Sequence, residues 1–215
     1  MLFLDRKQPQ AEQLARKAVR RLSQADPALA DLIRQIGPCR LGRAGRNNHF
    51  AALVEAIVYQ QLAGKAAAAI FSRFRALYSS RRFPTPEELD RTPEKQLRSA
   101  GLSPQKISYL KDLSRRILDG SLKLRNLSPM EDEEIIGHLT QVKGIGRWTV
   151  EMFLIFSLGR LDVLPVGDLG IRKAVQRAYR LRALPSPERL EQMGLRWQPY
   201  RSVASWYLWA SVDGK

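Results

Sequence analysis

The stretch Leu139–Asp168, LTQVKGIGRWTVEMFLIFSLGRLDVLPVGD, constrains the fold more than any other part of the chain. Ile135, Ile136 and Leu139 fall at helical spacing before it. Gly144 and Gly146 bracket Ile145 in a tight turn, where both are expected to allow backbone conformations that a side chain would block. Arg147 to Leu158 is almost wholly apolar, which suits a buried helix. Pro165 and Gly167 break that run, and Asp168 opens the helical pattern LGIRKAVQRAY. The expectation is helix, glycine hairpin, helix, short loop, then an aspartate at the mouth of a further helix.

Such a turn has two readings. It can be an ordinary αα-hairpin in which glycine only permits tightness. It can also be a concave anion site, with hairpin and helix-start amides facing outward and Lys143 and Arg147 supplying positive charge. A turn of that kind grips a phosphate without reading bases. The charge of the chain favours the second: 36 Lys and Arg against 21 Asp and Glu leave a formal net charge of +15. That excess favours a polyanionic partner, with an acidic membrane surface as the competitor. No run is long or apolar enough to span a bilayer, and no basic helix shows a clean lipid face. Asp168 is also double in meaning. Before a helical run it is an N-cap, and an ionised carboxylate held there can stabilise a cation or activate water.

The remaining chain reads as many short helices. Gln10 to Gln24 sets Leu14, Ala18, Val19 and Leu22 on one face and Arg16, Lys17, Arg20 and Arg21 on the rest. Asp26-Pro27 ends that element, and Ala28 to Ile36 makes a second helix. Gly37 to Asn48 is loop-like. Phe50 to Leu77 is a long helical region broken near Gly64, where Gln60 and Gln61 interrupt an apolar run. Thr85-Pro86, Thr92-Pro93, Ser103-Pro104, Ser128-Pro129 and Ser186-Pro187 read as N-cap and first helical residue. Thr85 with Glu88 and Ser128 with Glu131 have capping-box spacing. No segment alternates with period two, so the expected class is all-α. Trp206 and Trp209 share a face of the last helix, where core packing is the ordinary role. Cys39 is the only cysteine, which excludes an internal disulfide and a thiolate metal cage. His49 and His138 are isolated, and no His, Asp and Glu cluster points to a catalytic metal. The start MLFLDRKQ is charged too soon for a signal peptide, so an intracellular, cytoplasmic protein is expected.

LTQVKGIGRWTVEMF followed by DVLPVGD resembles the helix-hairpin-helix, Gly/Pro-rich loop and aspartate signature of a DNA glycosylase superfamily, closest to its alkylation-repair branch, 3-methyladenine DNA glycosylase II. The similarity runs over about residues 28–212, through DPALADLIRQIGPCRL, ALVEAIVYQQLAGKAAAAI, GLSPQKISYLKDL and PYRSVASWYLWASVD. It implies two helical lobes with a cleft between them, residues 1–48 with 166–215 and residues 49–165, and a helix-hairpin-helix at about 132–158. It implies a likeness in function: excision of alkylated purines from double-stranded DNA by a monomer, associated with the nucleoid when bound, with Asp168 catalytic. Trp148, Trp209, Met152 and Tyr59 would line the base pocket, Met152 standing where some relatives have tyrosine. Lys143, Gly144, Gly146 and Arg147 would hold the strand. Gln61, with Leu62 as the alternative, would fill the gap left by the extruded base. Trp148 stands where glycosylase/lyases carry a nucleophilic lysine, so the enzyme would be monofunctional; Lys143 and Lys173 do not fit that pattern. No cofactor would be required. A structural Na+ or K+ on the carbonyls of Thr140, Val142 and Ile145 is implied, and an iron–sulfur cluster is excluded by the single cysteine. The reading from another class is a non-catalytic helix-hairpin-helix DNA-binding module with Asp168 only a cap. An RNA or membrane-surface binder rests on charge alone.

Overall fold

The computed structural model describes residues 9–41, 48–78 and 82–212. Every regular element among them is helical. The chain runs through α1 (Pro9–Ala25), α2 (Pro27–Ile36), α3 (His49–Tyr59), α4 (Gly64–Ala76), α5 (Pro86–Arg91) and α6 (Glu94–Ser99). It continues through α7 (Pro104–Leu118), α8 (Asp132–Leu139), α9 (Arg147–Phe156), α10 (Leu169–Ala178), α11 (Pro187–Gly194), a 3-10 turn (Leu195–Trp197) and α12 (Arg201–Val212). Packing separates the described residues into two compact units, one drawn from Met1–Gly45 and Leu154–Lys215, the other from Arg46–Phe153. The resemblance implies lobes that divide at residue 165; packing groups the described residues with a division inside α9, between Phe153 and Leu154.

Most helix starts follow from local chemistry. Ser103 accepts from Lys106 N at 3.2 Å and Ser186 from Arg189 N at 3.2 Å. Thr85 and Glu88 form the expected capping box, with Glu88 N donating to Thr85 Oγ1 and Thr85 N to Glu88 Oε2. Two expected caps are not formed. Thr92 closes α5, its hydroxyl donating to Glu88 O at 2.7 Å, and Pro93 opens α6 with no side-chain cap. Ser128 and Pro129 lie in a turn, and α8 starts at Asp132 after Glu131, with no side-chain cap. The acidic first turn of α8, Asp132, Glu133 and Glu134, meets the positive end of the helix dipole instead.

The unit made from the two chain ends packs α1, α2, α10 and α12 around Trp197, Tyr207, Leu22 and Leu29, all fully buried. Asp26 sits in that core at 1% exposure. The sequence reads Asp26-Pro27 as the end of α1; in the fold Asp26 is the N-cap of α2 and more. Oδ1 accepts from Ala28 N at 3.0 Å and Leu29 N at 3.3 Å. Oδ2 accepts from Trp197 Nε1 at 2.9 Å and from the Tyr179 hydroxyl. Burial comes first, and the Asp26 bond second, in pushing the Tyr179 hydroxyl far above the ordinary phenol range. One carboxylate thus joins α2 to the C-terminal end of α10 and to the 3-10 turn. A buried charge is tolerated only when its lone pairs are satisfied this way.

In the other unit α3 is nearly all core through Phe50, Leu53, Val54, Ile57 and Val58. It packs beside α7, whose Ile107, Leu110 and Leu113 are buried. Lys111 on α7 buries its stem and donates to Thr92 O at 2.8 Å and to Asp90 O. That bond satisfies carbonyls at the end of α5. Replacing Asp26 by Ala strands two amides, an indole N–H and a hydroxyl in the core. The expected loss is about 3 kcal/mol or more of unfolding free energy, read by urea denaturation; a loss under about 1 kcal/mol would show the network to be incidental.

Candidate functional site

The hairpin occupies residues 140–146 between α8 and α9. Gly144 has φ +79°, and a Cβ there would lie 2.1 Å from the Tyr109 ring on α7. Glycine is therefore required twice, by backbone and by space. Gly146 differs from the expectation. Its φ is not positive, and an added Cβ meets nothing within 4 Å. Only Gly144 relaxes the turn. Gly146 is the residue before the first turn of α9, with Val150 N donating to its carbonyl at 3.2 Å. Its missing side chain leaves the positive end of the α9 dipole open to approach from outside, the geometry of an anion site.

The rest of the hairpin is fastened to α7. Lys143 N donates to Asp112 Oδ2 at 2.9 Å, and Arg116 Nε donates to the same oxygen at 2.9 Å. Burial works to raise the Asp112 carboxyl, but the Lys143 amide and Arg116 outweigh it and hold it below the ordinary range. The Lys143 side chain is exposed. Arg147 forks onto Glu133 of α8, Nη1 to Oε1 at 2.8 Å and Nη2 to Oε2 at 2.5 Å. Both partners are more than half exposed. A pair of that kind is worth about 0–1 kcal/mol; Arg147 Nη1 also lies 3.9 Å from Oε1 of the buried Glu151.

Asp168 follows the turn Pro165–Asp168, closed by Asp168 N donating to Pro165 O at 3.0 Å. It is the N-cap of α10: Ile171 N donates to Oδ1 at 2.7 Å. The same oxygen accepts from Trp209 Nε1 at 3.0 Å. Trp209 on α12 packs its ring beside Phe156, with centroids 5.9 Å apart and planes 31° apart. Gly170 makes room for this arrangement. A Cβ at 170 would sit 3.0 Å from Asp168 Oδ1 and 3.4 Å from Trp209 Cδ1. Cap and indole together set the carboxylate's direction, and Asp168 remains only partly buried. The sequence marks Asp168 and Trp209 separately; Phe156 and Gly170 it does not mark, since only packing gives them a part.

The other expected site residues belong to the central unit. Trp148, on the first turn of α9, is 50% exposed, an unusual placement for an indole. Met152 is half-buried on the same helix, and Tyr59 at the end of α3 meets the edge of Phe71 at 6.0 Å. Gln61 has a left-handed φ of +56°, and Leu62 beside it is 38% exposed. Of the carbonyls expected to hold a cation, that of Val142 accepts from Ile145 N at 3.1 Å within the hairpin. Among the described residues no group of three or more His, Cys, Asp or Glu is placed to hold a metal ion. Burial pushes the Cys39 thiol up to about 11, so it is a poor nucleophile.

The folded order of these parts, glycine hairpin between two helices, short loop, aspartate-capped helix, is that of a class of base-excision repair proteins. The pattern of the HhH-GPD superfamily of base excision DNA repair proteins matches residues 54–199, and the chain belongs to that superfamily. It is similar to DNA-3-methyladenine glycosylase 1 of Schizosaccharomyces pombe, 38% identical over 195 residues, covering 90% of this chain and 86% of that protein. The structure of that yeast glycosylase in complex with abasic DNA superposes with a TM-score of 0.83, covering 92% of this chain and 97% of that one. The alkylbase DNA glycosidase-like protein mag2 of the same yeast is 30% identical, covering 90% of this chain and 92% of that protein. The DNA-3-methyladenine glycosidase of Bacillus halodurans superposes with a TM-score of 0.79 at 37% identity, covering 95% of this chain and 89% of that one.

The two hairpin glycines separate on stability. Gly144→Ala drives a methyl into the Tyr109 ring at a positive φ and is expected to cost about 2 kcal/mol or more. Gly146→Ala is expected to stay within about 0.5 kcal/mol of wild type. Thermal or urea melts of both proteins decide it, and equal effects would contradict the assignment.

Proposed function

We propose that this protein is a monofunctional DNA N-glycosylase that releases alkylated purines of the 3-methyladenine type from double-stranded DNA, the opening step of base excision repair. The observation that carries the reading is the Asp168 carboxylate, held by the Ile171 amide and the Trp209 indole and left partly exposed. Breaking the N-glycosidic bond sends its electron pair out with the base and leaves positive charge on the sugar. A fixed carboxylate near that charge lowers the barrier without reorganising. Water then adds at the sugar carbon and loses a proton, leaving an abasic site. Alkylation at N3 or N7 makes the purine cationic, so it leaves readily. A cation on an exposed indole face gains about 0.5–2 kcal/mol, which gives Trp148 a selecting role. Met152 and Tyr59 complete the proposed pocket.

Strand binding is assigned to Gly144, Gly146, Lys143 and Arg147, the last exchanging Glu133 for a phosphate. The turn bearing Gln61 and Leu62 is assigned to the space left by the extruded base. Extrusion costs a few kcal/mol, less for a damaged pair. Trp148 in place of a nucleophilic lysine supports cleavage without a covalent enzyme–sugar intermediate. No described helix is long and apolar enough to cross a membrane. A monomer acting on DNA inside the cell, in the cytoplasm and on the nucleoid, is the reading we adopt.

Carbonyl oxygens of Thr140, Val142 and Ile145 are hard donors suited to Na+ or K+, and a second lone pair of the Val142 carbonyl remains after its turn bond. A cation there would add positive charge at the phosphate grip. Replacing Na+ and K+ by tetramethylammonium at constant ionic strength is then expected to weaken DNA binding, and unchanged affinity removes the ion from the scheme.

The competing reading, a DNA-binding module without catalysis, draws on one fact: Asp168 makes an ordinary N-cap bond. Asp168→Asn separates the two. Base release from methylated duplex is expected to fall by about 100-fold or more, near 2.7 kcal/mol, while affinity for abasic duplex holds within about twofold. The wild-type product should be an intact abasic site. Base release by Asp168→Asn at the wild-type rate would defeat the catalytic assignment, and strand cleavage without alkali would defeat the monofunctional one.

A further inference from the structure

Residues 60–63 join α3 to α4, and something must hold so short and strained a connection in place. Gln61 has φ +56° and Leu62 N reaches Tyr59 O at only 3.4 Å. The last carbonyls of α3 need donors from elsewhere. Lys106 of α7 supplies them, its ammonium donating to Val58 O at 2.5 Å and Gln60 O at 2.8 Å. The Gln60 side chain does something different. Its Nε2 donates to the carbonyl of Gly144, in the hairpin, at 2.7 Å and across 84 residues of sequence.

The hairpin end of that bond is fixed to the same helix. Tyr109, one turn beyond Lys106, fills the space under Gly144, and its hydroxyl accepts from Gln105 Nε2 at 2.6 Å. Asp112, a turn further, accepts the Lys143 amide. Side chains three apart on a helix are neighbours. So Lys106, Tyr109 and Asp112 form a rail along α7 that carries the 60–63 turn at one end and the hairpin at the other. Gln60 closes the ring between them.

We propose that Gln60 is a positioning residue that ties the base-replacing turn to the phosphate-gripping hairpin, so that strand grip and insertion of the turn's side chain occur as one rigid act. The inference rests on the assignments of turn and hairpin made above. A turn already ordered before it meets DNA has less freedom to lose on insertion. The Gly144 carbonyl faces the turn; the amides of Lys143 and Ile145 on either side of it donate to Asp112 and to Val142 O.

The test uses Gln60→Ala and Gln60→Glu, the second setting a carboxylate oxygen against the Gly144 carbonyl. Two measurements are made: single-turnover release of 3-methyladenine from duplex, and fluorescence of 2-aminopurine placed opposite a tetrahydrofuran abasic analogue. Insertion of the turn unstacks the reporter and raises its signal. Expected for Gln60→Ala are about a tenfold fall in release, the loss of one hydrogen bond to a strained turn, and a reduced fluorescence rise. The melting temperature falls by no more than a few degrees, the loss of one hydrogen bond, and binding of undamaged duplex, into which no turn inserts, stays within about twofold. Gln60→Glu is expected to lose more of the fluorescence rise than Gln60→Ala. Full fluorescence and full release in Gln60→Ala overturn the proposal. So does a fall in affinity for undamaged duplex as large as the fall in release, which would mark a merely structural bond. If wild type releases no base at all, the glycosylase reading fails, while the fluorescence still decides whether Gln60 couples turn and hairpin.

Discussion

Two aspartates at helix N-termini, each accepting an indole N–H, determine how the unit built from the chain ends is put together. Asp26 caps α2 and holds Trp197; Asp168 caps α10 and holds Trp209. The local chemistry is the same, a carboxylate satisfied by backbone amides and a ring nitrogen, yet the outcomes differ through burial. Asp26 is sealed in the core, with Tyr179 on its second oxygen as well, and can only organise structure. Asp168 stays partly accessible, so its charge can act on something from outside. Because Asp26 holds the end of α10 through Tyr179, the helix that Asp168 caps is secured at both ends.

The central unit depends on a different constraint, the close approach of the hairpin to α7. A ring lies where a Cβ at residue 144 would be, and a carboxylate of α7 takes the next amide. These contacts turn one side of the hairpin inward and leave the Gly146 side open. The positive charge there is less than the sequence suggests, since Arg147 is engaged with Glu133. Exposure makes the Glu133 pair weak, while the buried Glu151 lies 3.9 Å from the same guanidinium.

Much of the secondary structure was legible because helix ends are local events. Ser103, Ser186 and the Thr85–Glu88 pair cap where their spacing says they should. The same signal misled at Thr92, whose hydroxyl bonds backward to Glu88 and to Tyr78, and at Ser128, where the chain turns before α8 begins. Asp26-Pro27 does end α1, but the larger role of Asp26 was not legible, because its partners Tyr179 and Trp197 lie 153 and 171 residues away. The polar interruption at Gln60 and Gln61 was visible, but its partner, a backbone carbonyl, has no signature in any sequence.

The all-helical class, the glycine hairpin, the aspartate at a helix mouth, the basic excess and the absence of a cysteine cage were decided by the sequence alone. Each depends on residue type and short-range spacing, which a chain carries before it folds. Tertiary structure decided which hairpin glycine is obligatory, which aspartate is buried, what a side chain at Gly170 would crowd, and that Gln60 reaches the hairpin. Those are distances between residues far apart along the chain. They arise only when helices pack, because packing alone determines whether a given space holds a ring, a carbonyl or nothing.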